Sequence, residues 1–578
     1  MNKIFGDSNA MKYKNSKFLL IGLLVLSIII SISAINATDD NTSTNMIKQH
    51  DDIFTINTQT NKDTITQQQN NIKSTKKVEN KNNKEAKISN SKENITKTTK
   101  KATHTVNNYQ ELYNKIEEIK TSSDNTTINL NPGNYTITTQ ITWGSTDQQA
   151  KTMTINGNGQ TIDGENIKQF IIVENGYTLN LQNIIIKQCF TTALGAGIYN
   201  KGNTSIINST FTENNETIGG GGVIYNTETG ILNITNSTFS GNTATRYSVI
   251  ENDGGLTNIT NSTFTQNDVY AKNTEYISGG IIKNDNNGTI NIINSNFTGN
   301  NITNDTSYLD PATVIKNNNG TINITNSIFN KNNIEQEARL IYSRESSITN
   351  ILNSNFTQNN VTNIYSLISS TGNFSLINSN FIENNGRIID SDYNGNTSII
   401  NSTFTKNYEG YVIQNYRNNL SIMNSTFTEN NASGSLIINN AGSVNIVNSN
   451  FTKNNAESTD TDGLIYNYKE GTLNITNSTF IENNANSGGV LYNHYNGITT
   501  IINSTFNKNN AQEGGVITNN FYANISIINS TFNENNATKG GVINNEIYDT
   551  VSGTVNITNQ TSQKIMQVLQ ELYIIMEM

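Results

Sequence analysis

The sequence predicts an all-β chain, wound as one single-stranded, right-handed parallel β-helix of about 17 coils with a short N-terminal capping α-helix. Three observations predict it. A phrase such as "NITNSTFIENNANSGGVLYN", Asn474 to Asn493, recurs thirteen times. Its phenylalanines run from Phe211 through Phe239, Phe264, Phe297, Phe329, Phe356, Phe381, Phe404, Phe427, Phe451, Phe480 and Phe506 to Phe532, at intervals of 23 to 33 residues. Such elasticity excludes a coiled coil, whose register fails under arbitrary insertion. Finally, no single copy holds enough apolar groups for a core, so the copies must stack and share one.

Composition narrows the class. Apolar residues make up 34% of the 578, and charged residues 14%, so the chain lacks both the oil of an ordinary globule and the charge of a typical disordered protein. The net charge of -9, with no clustered basic face, argues against nucleic acid as a partner. Cys189 is the only cysteine, so no disulfide forms within the chain; following "NIIIKQ", it reads as a small buried hydrophobe.

Residues 1–37 read as a signal peptide or N-terminal membrane anchor. "FLLIGLLVLSIII", Phe18 to Ile30, follows Lys12, Lys14 and Lys17 and precedes a small-residue stretch with cleavage expected after Ala34 or Ala37; an uncleaved chain would be held through residues 18–32. Met11, just before the basic patch, is an alternative start. Residues 38–104, rich in Asn, Thr, Gln and Lys, bury too little to offset their ordering entropy and are expected to form a solvated linker. The β-helix with its cap is assigned to 105–560.

At its start Tyr109, Leu112, Tyr113, Ile116 and Ile119 fall on one helical stripe of about three turns, suited to covering the first strands. Pro132 and Gly133 then predict a turn between two β-branched runs. Each repeat supplies two strand-like runs, "TLNITNSTF" and "GGVLYN", with Asn or Gly at the corners. Identical amides on successive coils are expected to hydrogen-bond in ladders. Gly488 and Gly489 are expected to supply positive φ.

"FTENN" and "GGVIYN" resemble the paired FxxN and GGA[ILV] repeats of the polymorphic outer-membrane protein family, with Val commonly in place of Ala and the glycine pair lost in the Phe356, Phe381 and Phe404 units. The whole chain looks like the asparagine/threonine-rich adhesin-like proteins of methanogenic archaea, and "INGNGQTIDG" resembles the first coils of the pectin-lyase-like superfamily. The likeness spans about Asn108 to Gln560. It implies a β-helical fold and a surface adhesin without enzymatic activity.

The search for chemistry finds no catalytic residues, no cofactor site and no metal site. Asp390 and Asp460 each follow a repeat phenylalanine by nine residues, so they share a face three coils apart. That is about 14 Å, against about 5 to 9.5 Å for paired glycosidase carboxylates. Asp392 and Asp462 sit beside them, and "DTDG" is read as a solvated turn rather than a calcium loop. His50, His104 and His494 lie far apart and hold no zinc; Trp143 and the corner tyrosines are read as packing residues. Sequons recur in nearly every coil, and Asn208, Asn236, Asn401 and Asn529 are glycosylation candidates.

The expected function is a non-enzymatic extracellular or cell-surface protein that binds surfaces, cells or glycans, its partners a cell-surface or glycan ligand and a cell wall or membrane surface. The alternatives are a polysaccharide lyase or hydrolase of the same fold and a structural wall component. The tail 561–578 abandons the repeat. One base restored after the Thr561 codon returns a phenylalanine 30 residues beyond Phe532 and a "GAIYNNGN" corner, so a frameshift near Ser562 is expected.

Overall fold

In the computed structural model, the described residues are 102–558 apart from 123, 146–150, 217–221, 245–247, 272–278, 305–310, 363–364, 394, 457–462 and 549–550. The expected signal or anchor, nearly all of the expected linker, and the tail 561–578 lie outside them. The linker's last three residues do not. Strand β1, Ala102–Asn108, begins inside the stretch expected to be unstructured and pairs in parallel with β2, Thr126–Thr136. The parallel partner supplies the order that this segment's composition lacks.

Helix α1, Tyr109–Ile119, lies between them. Asn108 caps it, its Oδ1 accepting from the Glu111 N–H at 2.9 Å, while Glu111 Oε2 accepts from the Asn107 backbone N–H at 2.8 Å. Tyr109, Leu112, Ile116 and Ile119 are buried in the same core as the strands. Pro132 and Gly133 make no reversing turn. They lie within β2, which runs from the first sheet into the second, and Gly133 passes so close to the Asn107 carbonyl that a Cβ would sit 1.9 Å from its oxygen.

From there the chain is a parallel β-solenoid of about 16 turns, one strand of the third sheet per turn. "TLNITNSTF" is two strands rather than one: Thr472–Thr476 in the first sheet and Thr479–Ile481 in the second. Asn477, at φ 50°, turns the corner between them. Asn484–Ala485 adds to a short ladder, and Leu491–Asn493 lies in the third sheet. Of the glycine pair only Gly488 has positive φ, 72°; Gly489 is required by crowding, since a Cβ there would meet the Gly515 carbonyl oxygen at 2.4 Å.

The thirteen phenylalanines form one interior stack from Phe211 to Phe532, with successive ring centroids 4.5–5.1 Å apart and interplanar angles of 1–11°. Isoleucine, leucine and valine of the first and third sheets complete the core.

Polar ladders flank the stack. In every FxxN unit but the last the asparagine is buried, and Asn430 is typical. Its Nδ2 donates to the Phe404 carbonyl and to Asn454 Oδ1, both at 2.9 Å. Two residues before each phenylalanine is a buried serine; from Ser237 onward its hydroxyl accepts the previous coil's serine N–H, as Ser425 Oγ does from Ser402 at 3.2 Å. These side chains meet buried donors and acceptors that strand pairing leaves over at the corners.

Outside, the residue two after each phenylalanine also has positive φ. From Glu383 it alternates in charge through Lys406, Glu429, Lys453, Glu482 and Lys508 to Glu534, all at φ 51–54°. Lys406–Glu429, Lys453–Glu482 and Lys508–Glu534 lie 3.6–3.8 Å apart. Each exposed pair contributes little, but a slip of one coil would set like charges together.

Candidate functional site

Two features of this scaffold offer chemistry: the sequon corners and the outer side of the third sheet. Asn208, Asn236, Asn401 and Asn529 all occupy the corner between the first and second sheets, at φ 49–51°, with exposed side chains. Each part of the "NST" motif has a structural reason. The asparagine takes the left-handed conformation more readily than other non-glycine residues, the serine joins the buried ladder, and the threonine is an outward strand residue. The exposed amides also pair across coils: Asn401 Nδ2 donates to Asn378 Oδ1 at 3.1 Å, and Asn529 Nδ2 to Asn503 Oδ1 at 2.8 Å.

The outer side of the third sheet is where the repeat relaxes. Register places Tyr225, Glu251, Lys283, Lys316, Tyr342, Ser369, Asp390 and Gln414 in one column, one per coil. Asp253 and Asp285 pair in the column beside it.

Two clusters of ionisable groups result. In the first, Lys283 Nζ lies 3.0 Å from Glu251 Oε1 and 2.6 Å from Asp285 Oδ2. Burial pulls the ammonium down, but the two carboxylates outweigh it and Lys283 titrates above its usual range. Glu251 Oε2 is buried without a hydrogen-bond partner, and the Tyr225 hydroxyl donates to Asp253 Oδ2 at 2.5 Å.

In the second, Asp390 is buried beneath Tyr411, whose hydroxyl donates to Asp390 Oδ1 at 2.5 Å and accepts from Ser366 Oγ at 3.5 Å. The Arg387 guanidinium stacks on Tyr411 at 4.8 Å. Arg339 stacks on Tyr365 at 4.1 Å and donates from Nε to Ser369 Oγ at 3.1 Å. Burial raises Asp390; Asp392, two residues on, is pushed up to about 7 by burial and by the Asp390 charge, with Arg339 opposing. A carboxyl that titrates near neutrality beside an arginine and a tyrosine can hold or release a proton at physiological pH.

The sequence reading found no coil face that assembles acids and a base. What it did not anticipate is that Asp390 and Asp392 gather with Arg339, Arg387 and Tyr411 on the third sheet. Asp460 and Asp462 lie outside the described residues. Glu251, Lys283, Arg339, Arg387 and Tyr411 were missed; for Glu251 and Lys283 a signal existed, the outward position between the aliphatic pair and the buried asparagine in "VIEND" and "IIKND", whereas Arg339, Arg387 and Tyr411 stand before the aliphatic pair and carry no such mark.

The other residues singled out are packing residues. Trp143 is buried, its indole N–H donating to the Thr178 carbonyl at 3.0 Å. Cys189 is a free, buried thiol at the position that asparagine fills in later coils, its N–H donating to Asn214 Oδ1 at 2.9 Å. His104 lies in β1 and is half-buried. His494 is a corner residue whose Nδ1 lies 3.1 Å from the Tyr466 hydroxyl; burial lowers its pKa. No group of three or more His, Cys, Asp or Glu that could hold a metal occurs among the described residues. No described helix is long and apolar enough to cross a membrane.

The fold and these side chains define a parallel β-solenoid with ionisable clusters on its third sheet. No family model matches the chain, and no match to a curated protein was found. Among solved structures it is similar to ORF18 of Geobacillus virus E2, at 10% identity over 54% of this chain and 55% of that one, with a TM-score of 0.18. It is also similar to the PL6 family alginate lyase AlyGC, at 10% identity over 80% of this chain and 100% of that one, TM-score 0.23. A third is PfbA, a surface adhesin of Streptococcus pneumoniae, at 11% identity over 73% of this chain and 87% of that one, TM-score 0.20. The β-solenoid itself is established by this chain's own strand register.

Proposed function

We propose that the protein is a non-enzymatic, extracellular or cell-surface adhesin-like protein. One observation carries the reading: the outer sides of the first and second sheets present threonine, asparagine and serine in register on coil after coil. Thr403 faces Thr426, Thr405 faces Thr428, and Ser398 faces Ser421. A contact made on one coil therefore recurs about 5 Å away on the next, and many weak contacts multiply into avidity. In this reading the coils wind right-handed, β1 and α1 cap the N-terminal end, and residues 1–37 export or anchor the chain. The surface it meets is a cell wall, a membrane surface or a glycan. Immobilised full-length protein is tested against whole cells, wall fractions and a glycan panel. Binding that weakens steeply when coils are deleted from the middle of the stack supports the reading, and a chain that binds none of them overturns it.

A second reading, polysaccharide lyase or hydrolase, draws on the cluster of Arg339, Arg387, Asp390, Asp392 and Tyr411. Reducing-end and unsaturated-product assays on acidic and neutral polysaccharides discriminate the two. Turnover lost in both Asp390→Asn and Tyr411→Phe establishes the enzyme and overturns the adhesin.

A further inference from the structure

The corner that leads from the third sheet back to the first is, in four coils, a tight turn whose two central residues both have positive φ. They are Asn286–Asn287 (50° and 63°), Lys469–Glu470 (53° and 64°), Tyr495–Asn496 (49° and 60°) and Phe521–Tyr522 (50° and 60°). In each, the fourth residue's N–H donates to the first residue's carbonyl: Gly288 to Asp285 at 2.9 Å, Gly471 to Tyr468 at 3.2 Å, Gly497 to His494 at 3.2 Å and Ala523 to Asn520 at 3.3 Å. This is a type I′ turn, which favours asparagine and glycine at its centre because bulkier residues are strained there. Asn286–Asn287 shows what the fold alone asks for. Lys469–Glu470 shows that the turn also accepts long polar side chains; Tyr495, Phe521 and Tyr522 instead put three aromatic rings where asparagine would be less strained.

Burial does not compensate that strain. Tyr495 is 53% exposed and Tyr522 51%. The two corners belong to adjacent coils, joined by the Asn496 N–H donating to the Phe521 carbonyl at 3.0 Å. Two of the rings gather around His494, Phe521 edge-on to it at 4.8 Å and Tyr495 at 6.3 Å, with 6.4 Å between them, and Tyr522 follows Phe521 in the same turn. Polar groups surround them. The Asn496 amide is exposed, and Glu546 accepts from Asn520 Nδ2 at 2.5 Å and from Asn544 Nδ2 at 3.1 Å, with Glu513 close by.

We propose that this corner is a saccharide-binding subsite that takes the C–H face of a neutral pyranose against Tyr495 and Tyr522. The Asn496 amide and the Glu546 carboxylate serve its hydroxyls. A pyranose has one face of weakly positive C–H bonds, matched to the negative face of an aromatic ring, and a rim of hydroxyls, matched to amides and a carboxylate. A few rings broken up by polar groups fall well short of the roughly 1,000 Å² that a stable protein partner requires. Glu513 and Glu546 share the single cation Lys539, at 3.8 and 3.3 Å, and the excess of carboxylate disfavours an acidic sugar. The proposal rests on the adhesin reading and names where, and for which ligand class, that binding is strongest.

The test is calorimetric titration of the full-length chain with cellohexaose, chitohexaose and mannohexaose, with hexagalacturonate as the acidic control. At least one neutral oligomer binds, and Tyr495→Asn combined with Phe521→Asn and Tyr522→Asn weakens it at least tenfold. The same triple variant unfolds at equal or higher temperature, because asparagine relieves the turn strain; a purely structural role for the rings would lower that temperature. Unchanged affinity in the variant, a lowered unfolding temperature, or binding of hexagalacturonate alone overturns the subsite. If cells or wall fractions are bound while every neutral oligomer is refused, the subsite fails and the adhesin reading stands. If nothing is bound by any assay, both fail.

Discussion

Asn430 and Asn454, 24 residues apart in sequence, share a bond on which the stack depends: Asn430 donates to Asn454 Oδ1 through both its backbone N–H, at 3.1 Å, and its side-chain Nδ2, at 2.9 Å. Asn430 Oδ1 in turn accepts the same two donors from Asn407. Each amide is thus fully used, and the motif residue that looks most polar belongs to the interior just as the phenylalanine does.

Replacing Asn430 by Ala therefore leaves the Phe404 carbonyl and both Asn407 donors without their partners in a buried corner. At about 1 to 3 kcal/mol for each unmet group, partly relieved by water, the loss reaches several kcal/mol. Urea unfolding followed by amide exchange should place it in the coils on either side of Asn430. An exposed ladder amide such as Asn401, at φ 50°, changed to Ala should cost less, about 1 to 2 kcal/mol by the same measurement, mostly the left-handed strain that alanine bears and asparagine tolerates.

The phenylalanine stack gives a second expectation. Phe427 lies between Phe404 and Phe451, at 4.7 Å and 4.5 Å, and is fully buried. Phe427→Ala opens a cavity costing about 3 to 5 kcal/mol. Phe427→Asp adds a buried charge and should abolish cooperative unfolding of the central coils; an unchanged denaturation curve for Phe427→Asp contradicts the interior assignment.

Asp392 predicts a pH dependence. Its folded-state pKa, raised to about 7, lies above the roughly 3.9 of an unfolded aspartate, so the folded chain holds a proton that the unfolded chain has released. The contribution is complete below about pH 4 and is lost as pH rises through about 7. Thermal melts of the wild type and Asp392→Asn should diverge over that window, with the variant relatively more stable at pH 8.

Glycosylation, where it occurs, is limited by the coil spacing. Asn208 and Asn236 occupy the same corner of adjacent coils, whose phenylalanine rings are 4.9 Å apart, closer than two attached glycans can stand side by side. Intact glycopeptide mass spectrometry should find molecules modified at one or the other, and none at both.

The class of fold, the one interior phenylalanine column, the helix over Tyr109–Ile119 and the existence of asparagine ladders were all legible in the order of residues. A solenoid is quasi-one-dimensional, each coil answering mainly to its neighbours, so a side chain's place in the repeat is also its place in space. That logic stops where contacts leave the level of the repeat. Asp390 and Tyr411 are 21 residues apart and Arg339 and Ser369 are 30, spacings that match no repeat interval, because these contacts run diagonally: register sets Asp390 against Gln414 and Ile341 against Ile368, so each partner stands three residues off the level position. Only register showed that they share one side of the third sheet. Folding likewise settled that "NITNSTF" bends at an asparagine into two sheets, that β2 runs through Pro132, and that Tyr495, Phe521 and Tyr522 stand in the left-handed region. Backbone conformation at a corner is set by how the chain must turn to meet the coil beneath it, and residue identity only makes that turn easier or harder.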